Sequence, residues 1–501
     1  MKRDCCSPSF IESPRSLKIR GLSRFMEVTM RADTDQDTIA AVSTAVSESG
    51  IGIIRVSGPE AFLVADRIFR SRKGKVPSSL PSHTIHYGFI YDGEEEIDEV
   101  LLSVFRKPHS YTAEDTVEIN CHGGVYAMRR VLETALSHGA RAAEPGEFTK
   151  RAFLNGRLDL SQAEAVMGII RSKNEYALRN SLGQLHGSVL KTVTDLRGEI
   201  LHEAAFIEAA LDDPEHYSLD SYSEEIREKN ERWILRIEDL IQSSENGRII
   251  QEGIRTVIIG RPNAGKSSLL NLFVGDERAI VTDIEGTTRD ILTETVQIGG
   301  ITLLLADTAG IRETGDKVEK IGVDRAVKYT QEADLVLCVI DASEKINEND
   351  RRILSLCRNK KTIILLNKTD LSVITDEKMI ADTLAEIMPE ADTSENIRIL
   401  PISAMSGEGL KEFEKTVRDM FYLGKLQYND EVMITNVRQK NLLRDAKNSL
   451  LLVRKSIEDE MPEDFLSIDL RECCIALGKI TGEETDEDLV NEIFRSFCMG
   501  K

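Results

Sequence analysis

The segment Gly260-Arg-Pro-Asn-Ala-Gly-Lys-Ser267 constrains the fold more than any other part of the chain, because its spacing matches a phosphate-binding loop. Such a loop needs a strand before it and a helix after it. The apolar run at 256–259 predicts the strand, and residues 267–273 predict the first turns of the helix. Backbone N–H groups would surround the phosphates, Lys266 would reach the β and γ phosphates, and Ser267 would ligate Mg²⁺. The alternative is a glycine-rich turn that matches by chance.

Three later segments favour the phosphate-binding interpretation. Each follows a short apolar run, and they are Asp307-Thr-Ala-Gly310, Asn367-Lys-Thr-Asp370 and Ser403-Ala-Met405. The Asp370 carboxylate can accept both N–H groups on one edge of guanine, a donor pair that adenine lacks. Four candidate strands thus carry polar groups at their carboxyl ends, where ligands of open parallel sheets bind. The sequence therefore predicts a Ras-like, parallel-sheet α/β domain that binds GTP.

The glutamine that orients the attacking water in Ras-like enzymes is absent, because Ile311 stands in its place. Two polar residues are candidates for replacing it. The amide oxygen of Asn263 could ligate a monovalent cation beside the phosphates, and the Glu319 carboxylate could position the water. Thr288 could complete the Mg²⁺ shell. From residue type alone, Asn263 and Glu319 are more often surface polar residues, and Thr288 is as often a turn residue.

Composition excludes several classes of protein. The formal net charge of −21 argues against a broad nucleic-acid-binding surface, although Lys150-Arg151 and Arg157 are a candidate for a local basic patch. No apolar run approaches the length of a membrane helix, so no membrane contact is expected. The eight cysteines form no C-x-x-C pair, which favours reduced thiols in a cytoplasmic protein.

The pattern along the chain predicts several domains. Residues 36–155 mix short strands with a helix, which predicts an α+β domain. Residues 156–252 and 423–501 have helical periodicity, with one helix expected to end near Ser244. The GTP domain at 253–422 then appears as an insertion into an all-helical domain whose halves pack together.

Residues 1–35 are predicted to be an extension outside the fold. Residues 1–31 contain seven basic and three acidic side chains and no apolar core typical of a secretory signal. A disordered tail is expected, with a translation start at Met26 or Met30, or a transit peptide, as alternatives.

With these motifs the chain resembles the tRNA-modification GTPases called MnmE or TrmE, over residues 36–501. The resemblance extends beyond the GTP motifs to blocks near both ends of the chain. These blocks are Asp37-Thr-Ile-Ala-Ala41, Gly50-Ile-Gly-Ile-Ile-Arg-Val-Ser-Gly58, Tyr111-Thr-Ala-Glu-Asp115, the segment from Pro145 to Ala165, and the ending Phe497-Cys-Met-Gly-Lys501. Two features depart from the family pattern: the run Val46-Ser-Glu-Ser-Gly50, where the family often has Pro-Gly-x-Gly-Gly, and the basic extension.

The resemblance implies that residues 36–155 form a folate-binding domain that also makes the homodimer. Arg55, Glu118, Arg157 and Lys501 match the family's motifs and would contact a tetrahydrofolate derivative, 5-formyl- or methylenetetrahydrofolate. From residue types alone, Arg55 or Arg157 is more often a surface ion-pair partner.

The resemblance also implies how the GTP domain replaces the missing glutamine. Glu319 would align the water, and two GTP domains of the dimer would meet across their nucleotides. Mg²⁺ would be held by Ser267 and Thr288. A K⁺ ion beside the nucleotide would be ligated by Asn263, Thr282, Ile284 and Thr287. The residues expected to bind GTP are Asn263, Ala264, Gly265, Lys266, Ser267, Ser268, Thr282, Asp283, Ile284, Glu285, Gly286, Thr287, Thr288, Asp307, Thr308, Ala309, Gly310, Asn367, Lys368, Thr369, Asp370, Ser403, Ala404 and Met405.

The family acts with an FAD-containing partner, MnmG, in a heterotetramer. On the resemblance, the pair would place an aminomethyl or carboxymethylaminomethyl group on carbon 5 of the wobble uridine of certain tRNAs, with a folate supplying the one-carbon unit. Cys498 matches a family cysteine assigned to modification; an inert thiol is the alternative. Two other functions stay open: a GTP-dependent switch or ribosome-assembly factor without modification activity, and a plain folate-dependent aminomethyltransferase.

Overall fold

A computed structural model describes residues 37–217, 222–275, 293–306, 329–389, 396–422, 433–498 and 500. Within that part of the chain two units are distinct. The first combines the residues up to 158 with those from 487 onward, and the second spans 159–486. The predicted domain boundaries stay predictions, because one such unit can contain more than one domain.

The first unit is built on a seven-stranded sheet of order β3-β4-β5-β6-β2-β1-β7. Its strands are β1 (Ile39–Val42), β2 (Gly52–Ser57), β3 (Phe69–Ser71), β4 (Thr84–Asp92), β5 (Glu95–Phe105), β6 (Thr116–Cys121) and β7 (Arg141–Ala142). All neighbours are antiparallel except β1 and β7. Helices α1 (Ala61–Ile68) and α2 (Val125–Ser137) bury their apolar faces on this sheet. The predicted α+β fold is confirmed.

The C-terminal helix, Glu487–Arg495, completes this unit by packing on α3 (Glu147–Leu154). Gly146 precedes α3 with a φ of 72°, and a Cβ there would overlap the backbone oxygen of Phe494. The rings of Phe494 and Phe497 lie 4.9 Å apart and both are buried. Glycine is therefore required at this crossing, where late residues of the chain enter the core of the first unit.

The second unit contains helices before, within and after the phosphate-binding segment. They are α4 (Leu160–Arg171), α5 (Glu175–Leu185), α6 (Ser188–Asp212), α7 (Tyr222–Glu252), α8 (Lys266–Gly275), α9 (Glu348–Ser355), α10 (Glu377–Ile387), α11 (Leu410–Tyr422), α12 (Val437–Glu458) and α13 (Glu463–Thr481). Helices α6, α7, α12 and α13 share one apolar core that includes Leu196, Ile237, Leu450 and Leu477. Helices on either side of the GTP motifs thus pack together, which confirms the predicted insertion.

The inserted sheet has six strands in the order β13-β12-β11-β8-β10-β9. They are β8 (Ile254–Gly260), β9 (Thr293–Ile298), β10 (Ile301–Ala306), β11 (Leu335–Asp341), β12 (Thr362–Asn367) and β13 (Ile397–Pro401). All neighbours are parallel except β9 and β10. Strands β11 and β12 are buried along their whole length, as expected for central strands covered on both faces.

The end of α7 differs from the prediction. The helix was expected to end near Ser244 but continues to Glu252. Ile250, in its last turns, is buried in the apolar core beneath the inserted sheet. Burial against another element, which local sequence does not reveal, extends this helix.

Two chemical expectations can be compared with the described residues. Six cysteines, Cys121, Cys338, Cys357, Cys473, Cys474 and Cys498, are free thiols there. In the same part of the chain no helix combines the length and apolar character needed to cross a membrane.

A buried ion pair links α4 to α12. Arg438 donates to Glu164 over 2.7 and 2.9 Å, and Gln439 donates to the same carboxylate over 2.7 Å. The side chains of Arg438 and Glu164 are 16% and 8% exposed. The pair Arg471–Glu208 in the same unit is similar in length, 2.8 Å, but its side chains are 63% and 43% exposed.

We predict that Glu164→Ala lowers the free energy of unfolding by about 3 kcal/mol, because it leaves a poorly hydrated guanidinium without its carboxylate partner and with only the backbone oxygens of Lys479 and Ile480 as acceptors. The exposed counterpart, Glu208→Ala, should lower it by less than about 1 kcal/mol. Trp233, the single tryptophan, lies in the helical core, so its fluorescence during urea unfolding reports this region. Equal decreases in the free energy of unfolding for the two variants would contradict the larger contribution assigned to the buried ion pair.

Candidate functional site

The phosphate-binding segment lies between β8 and α8, as predicted. Gly265 adopts a φ of 100°, and a Cβ there would overlap the side-chain nitrogen of Asn367. Asn263 is exposed and adopts a φ of 61°. The loop therefore presents the Asn263 carboxamide to solvent, while Gly265 allows another loop to approach closely.

Lys266 turns its side chain into the loop. Its Nζ donates to the backbone oxygens of Gly260 and Arg261 over 2.8 and 2.7 Å. Burial lowers the pKa of Lys266. Ser267 follows at the exposed start of α8, where a hydroxyl is a suitable hard oxygen ligand for Mg²⁺. Donor groups for phosphate and metal thus lie at one helix N-terminus.

The Asn367 carboxamide connects three loops at the carboxyl ends of the strands. Its Nδ2 donates to the backbone oxygen of Ala264 over 2.9 Å, and its Oδ1 accepts from the backbone N–H of Ala404 over 3.0 Å. The side chain is buried. Asn367 therefore fixes the phosphate loop relative to the segment 403–405.

Asp370 occupies the position expected of a base-reading residue. Its Oδ1 accepts from the Ser403 hydroxyl over 2.7 Å, and that hydroxyl accepts from the backbone N–H of Ser406 over 3.2 Å. Asp370 is exposed, and so is Met405. Ser403 thus orients a solvent-facing carboxylate that can bind the guanine edge.

Sequence reasoning missed β11 and the residue that ends it, Asp341. Lys368 Nζ donates to Asp341 Oδ2 over 2.6 Å, and the Ser343 hydroxyl donates to Oδ1 over 2.6 Å. The signal was available, because the run 335–340 is apolar and is followed by a polar residue, Asp341, as the four other predicted strands are followed by polar motifs.

Several predicted residues lie outside the described part of the chain. They are Thr282, Asp283, Ile284, Glu285, Gly286, Thr287, Thr288, Asp307, Thr308, Ala309, Gly310, Glu319 and Lys501. The predictions for the switch, water-positioning and most K⁺-ligating positions therefore stay predictions.

A second polar cluster lies in the first unit and contains three of the four predicted folate residues. Arg55 and Glu118 are direct partners on β2 and β6, and Arg55 Nε donates to Glu118 Oε1 over 2.9 Å. Arg55 Nη1 also donates to the backbone oxygen of Gly500 over 3.2 Å. Ser43 Oγ donates to the same oxygen over 3.1 Å. Residues near both ends of the chain therefore meet at Arg55.

Tyr111 connects Arg157 to this cluster. The guanidinium carbons of Arg55 and Arg157 lie 4.9 and 5.0 Å from the centroid of the Tyr111 ring. Arg157 Nη1 also donates to the backbone oxygen of Tyr111 over 3.0 Å. The Tyr111 and Thr149 hydroxyls are 2.8 Å apart. Two guanidinium groups beside an aromatic ring suit a ligand that has both carboxylates and a flat ring system.

The role predicted for Cys498 stays a prediction, whereas the basic patch predicted around Arg151 is wrong. Cys498 is exposed, and its backbone oxygen accepts from Gly146 N over 3.3 Å. Arg151 does not contribute to a basic patch, because it is buried and pairs with Asp37 and Glu114. Net local charge, rather than the count of basic residues, decides whether such a patch exists.

Comparisons with known proteins agree with this architecture. The family model for the GTP-binding protein TrmE N-terminus matches residues 38–157, and that for the MnmE helical domain matches residues 160–498. A curated protein from Lachnoclostridium phytofermentans, described as tRNA modification GTPase MnmE, is 56% identical over 467 residues, 93% of this chain and 99% of that protein. One of the same description from Bacillus subtilis is 45% identical over 468 residues, 93% of this chain and all of that protein.

The chain belongs to the MnmE family, also called TrmE. This membership confirms the resemblance noted in the sequence and the predicted multidomain fold class. It also confirms the prediction of a GTPase that acts in tRNA modification. The matched residues include all the described residues of both polar clusters except Gly500.

We predict that Asp370→Asn moves nucleotide preference from GTP towards xanthosine triphosphate. An amide presents an N–H to the base, which matches the extra carbonyl of xanthine and opposes the amino group of guanine. The ratio of the two dissociation constants should change by at least about tenfold, the scale of one exchanged hydrogen bond to a charged group.

Competition against a fluorescent GDP analogue measures this ratio. Asp376→Asn is the matched control, because Asp376 caps α10 by accepting from Met379 N, a role that asparagine fills equally well. An unchanged preference in Asp370→Asn would show that another residue reads the base.

Proposed function

We propose that the protein is a K⁺-stimulated GTP hydrolase that acts with the FAD-containing partner MnmG on certain tRNAs. Together they form the 5-carboxymethylaminomethyl or aminomethyl group of the wobble uridine, with a folate supplying the one-carbon unit. The contact between Arg55 and the backbone oxygen of Gly500 carries the proposal. A GTP switch alone does not require a second polar cluster assembled from residues so far apart in sequence.

The chain's own residues account for nucleotide binding. Loop N–H groups and Lys266 hold the phosphates, and Asp370 reads the base. Ser267 and Thr288 would hold Mg²⁺, and Asn263, with Thr282, Ile284 and Thr287, would hold K⁺. These cations supply positive charge beside the phosphates when bound. Glu319 would orient the attacking water in place of the absent glutamine.

The cluster around Arg55 supports a folate ligand. Arg157 complements the carboxylates of a folate glutamate tail, and Lys501 would add a further positive charge. Arg55, which pairs with Glu118 over 2.8 Å, would contact the same part of the folate as Glu118. Glu118 is an acceptor suited to the N–H edge of the pterin. Tyr111 provides an aromatic surface beside both arginines. Cys498 belongs to the same unit and exposes a thiol, which is consistent with a role in modification.

The proposed partners are a second copy of this chain, MnmG and tRNA. A chain with a net charge of −21 has few surfaces that attract a polyanion. We therefore assign much of the tRNA contact to the FAD-containing partner. A cytoplasmic location stays a prediction from the sequence.

We predict that GTP hydrolysis is faster in K⁺ than in Na⁺ at matched ionic strength, by about tenfold or more, the scale of one electrostatic contribution to a transition state. Asn263→Ala should remove this difference and retain GDP binding, because it deletes one cation ligand and no phosphate donor. Phosphate release under saturating GTP is the measurement.

Asn359→Ala is the matched control for Asn263→Ala. Asn359 is also exposed, with a φ of 59°, so both substitutions impose the same backbone strain. The K⁺ response should survive in this control. Equal wild-type rates in the two salts would remove the cation from the proposal.

We predict that Gly500→Ala lowers folate affinity and wobble-uridine modification at least about tenfold, while GTP hydrolysis persists. Gly500 has a φ of 81°, and a Cβ there would overlap the backbone oxygen of Val42, so the tail would leave Arg55. Gly74→Ala imposes similar strain at a φ of 65°, but its Cβ would meet nothing within 4 Å.

Calorimetry with 5-formyltetrahydrofolate, tRNA nucleoside analysis and phosphate release measure the three properties for both variants. Modification at the wild-type level in Gly500→Ala would favour the alternative function, a GTP-dependent switch or ribosome-assembly factor.

A further inference from the structure

Asp341 lies between the two ends of the nucleotide site. It ends the central strand β11 and is directly paired in the sheet with Asn367 on β12. Its Oδ2 is 2.6 Å from Lys368 Nζ and 3.8 Å from Arg261 Nη2. Arg261 belongs to the phosphate loop and Lys368 to the base-reading loop. One carboxylate oxygen therefore faces a positive charge from each loop.

We infer that Asp341 is a positioning residue for guanine nucleotides, acting through Lys368. Its carboxylate holds the lysine ammonium inward and fixes the side chain beside Asp370 before the nucleotide arrives. This inference rests on the GTP-binding function of the same site and adds a determinant of its affinity.

The geometry of Lys368 supports this role. Its backbone adopts a φ of 69°, and its side chain is 31% exposed although its ammonium group contacts Asp341, which is only 3% exposed. The Lys368 ammonium is therefore held against a buried carboxylate, while its methylene stem stays partly exposed in the loop that carries the base reader Asp370. A lysine side chain is costly to immobilise, so fixing it beforehand favours binding.

Asp341 is suited to stay ionised in this position. Burial raises the pKa of Asp341, but the hydrogen bonds from Lys368 and Ser343 outweigh that effect, and the pKa lies below its ordinary value. Ser343 donates both its backbone N–H and its hydroxyl to Oδ1. Oδ1 is thus held by the chain that follows β11, while Oδ2 faces the two cationic side chains.

Asp341→Asn tests the inference, because it keeps the shape and the acceptor for Ser343 and removes the charge. Dissociation constants for GDP and GTP should rise about ten- to a hundredfold, the scale of a lost charged hydrogen bond. The KM for GTP should rise in parallel, while kcat at saturating GTP stays within about twofold. Stopped-flow release of a fluorescent GDP analogue and steady-state phosphate release give these values.

The preference for GTP over inosine triphosphate distinguishes a positioning role of Asp341 from a general disruption of the base-reading loop. Inosine triphosphate lacks the amino group that Asp370 reads, so the wild-type protein should prefer GTP. Asp341→Asn should weaken both nucleotides equally and keep their ratio, because Asp370 and Ser403 are untouched. Loss of the GTP preference would overturn the inference by showing a general disruption of the base-reading loop.

A variant of Lys368 tests the contact between Lys368 and Asp341 from its other partner. It also provides the test if Asp341→Asn fails to fold. Lys368→Met keeps a long apolar side chain and removes the charge. It should weaken GDP binding about as much as Asp341→Asn, and the double variant should be no weaker than either single one, because both remove one interaction. Additive losses would overturn the inference.

Glu344→Gln is the matched control. It removes a neighbouring negative charge that contacts Arg261 over 2.7 Å, yet it is exposed and does not reach Lys368. Its affinity for GDP should stay within about twofold of wild type. Equal losses of GDP affinity in Glu344→Gln and Asp341→Asn would overturn the inference in favour of a general charge effect.

Unchanged GDP affinity in Asp341→Asn would overturn this inference alone. A wild-type protein that does not bind GTP would overturn the GTP-binding function as well.

Discussion

The buried carboxamide of Asn367 is the interaction on which the nucleotide site depends. Parallel strands end at one edge of the sheet, but nothing in strand pairing alone fixes the loops beyond that edge. The hydrogen bonds to Ala264 and Ala404 join the loop after β8 to the loop after β13. Because a buried amide left unpaired is unfavourable, these loops adopt one arrangement rather than several. The absence of a side chain at Gly265 is a consequence of the same contact.

The fold around this site was predictable where local pattern and burial agree. Strands β8, β10, β12 and β13 each place an apolar run before a recognisable polar motif, so the strands and the GTP-binding function followed from the sequence. Strand β11 has the same run, but Asp341-Ala-Ser matches no familiar motif and was overlooked. Its role depends on Lys368, a residue that is distant in sequence and brought close only by the parallel pairing of β11 with β12.

In the first unit, the family resemblance predicted which residues lie together but not the contacts that bring them together. The resemblance to the family placed Arg55, Glu118 and Arg157 at one site, and the structure brings these three together. It did not supply the reasons for their proximity, which are the β2–β6 register and the Tyr111 ring. Of the three acidic partners of Arg151, local spacing indicates only Glu147, four residues before it, because Asp37 and Glu114 lie far from it along the chain. Sequence patterns report local spacing, whereas ion pairing depends on tertiary contacts.

The entry of Phe494 and Phe497 into the core of the first unit sets an order for folding during synthesis. Residues 159–486 form a continuous segment, so the second unit can fold as soon as that segment leaves the ribosome. The first unit, although it is made first, lacks part of its core until the C-terminal helix has been synthesised. The core of its sheet, which consists of residues between 40 and 140, can form early, whereas the face of α3 that receives the C-terminal helix stays uncovered while more than half of the chain is added. The first unit is therefore the first to be synthesised and the last to be completely folded.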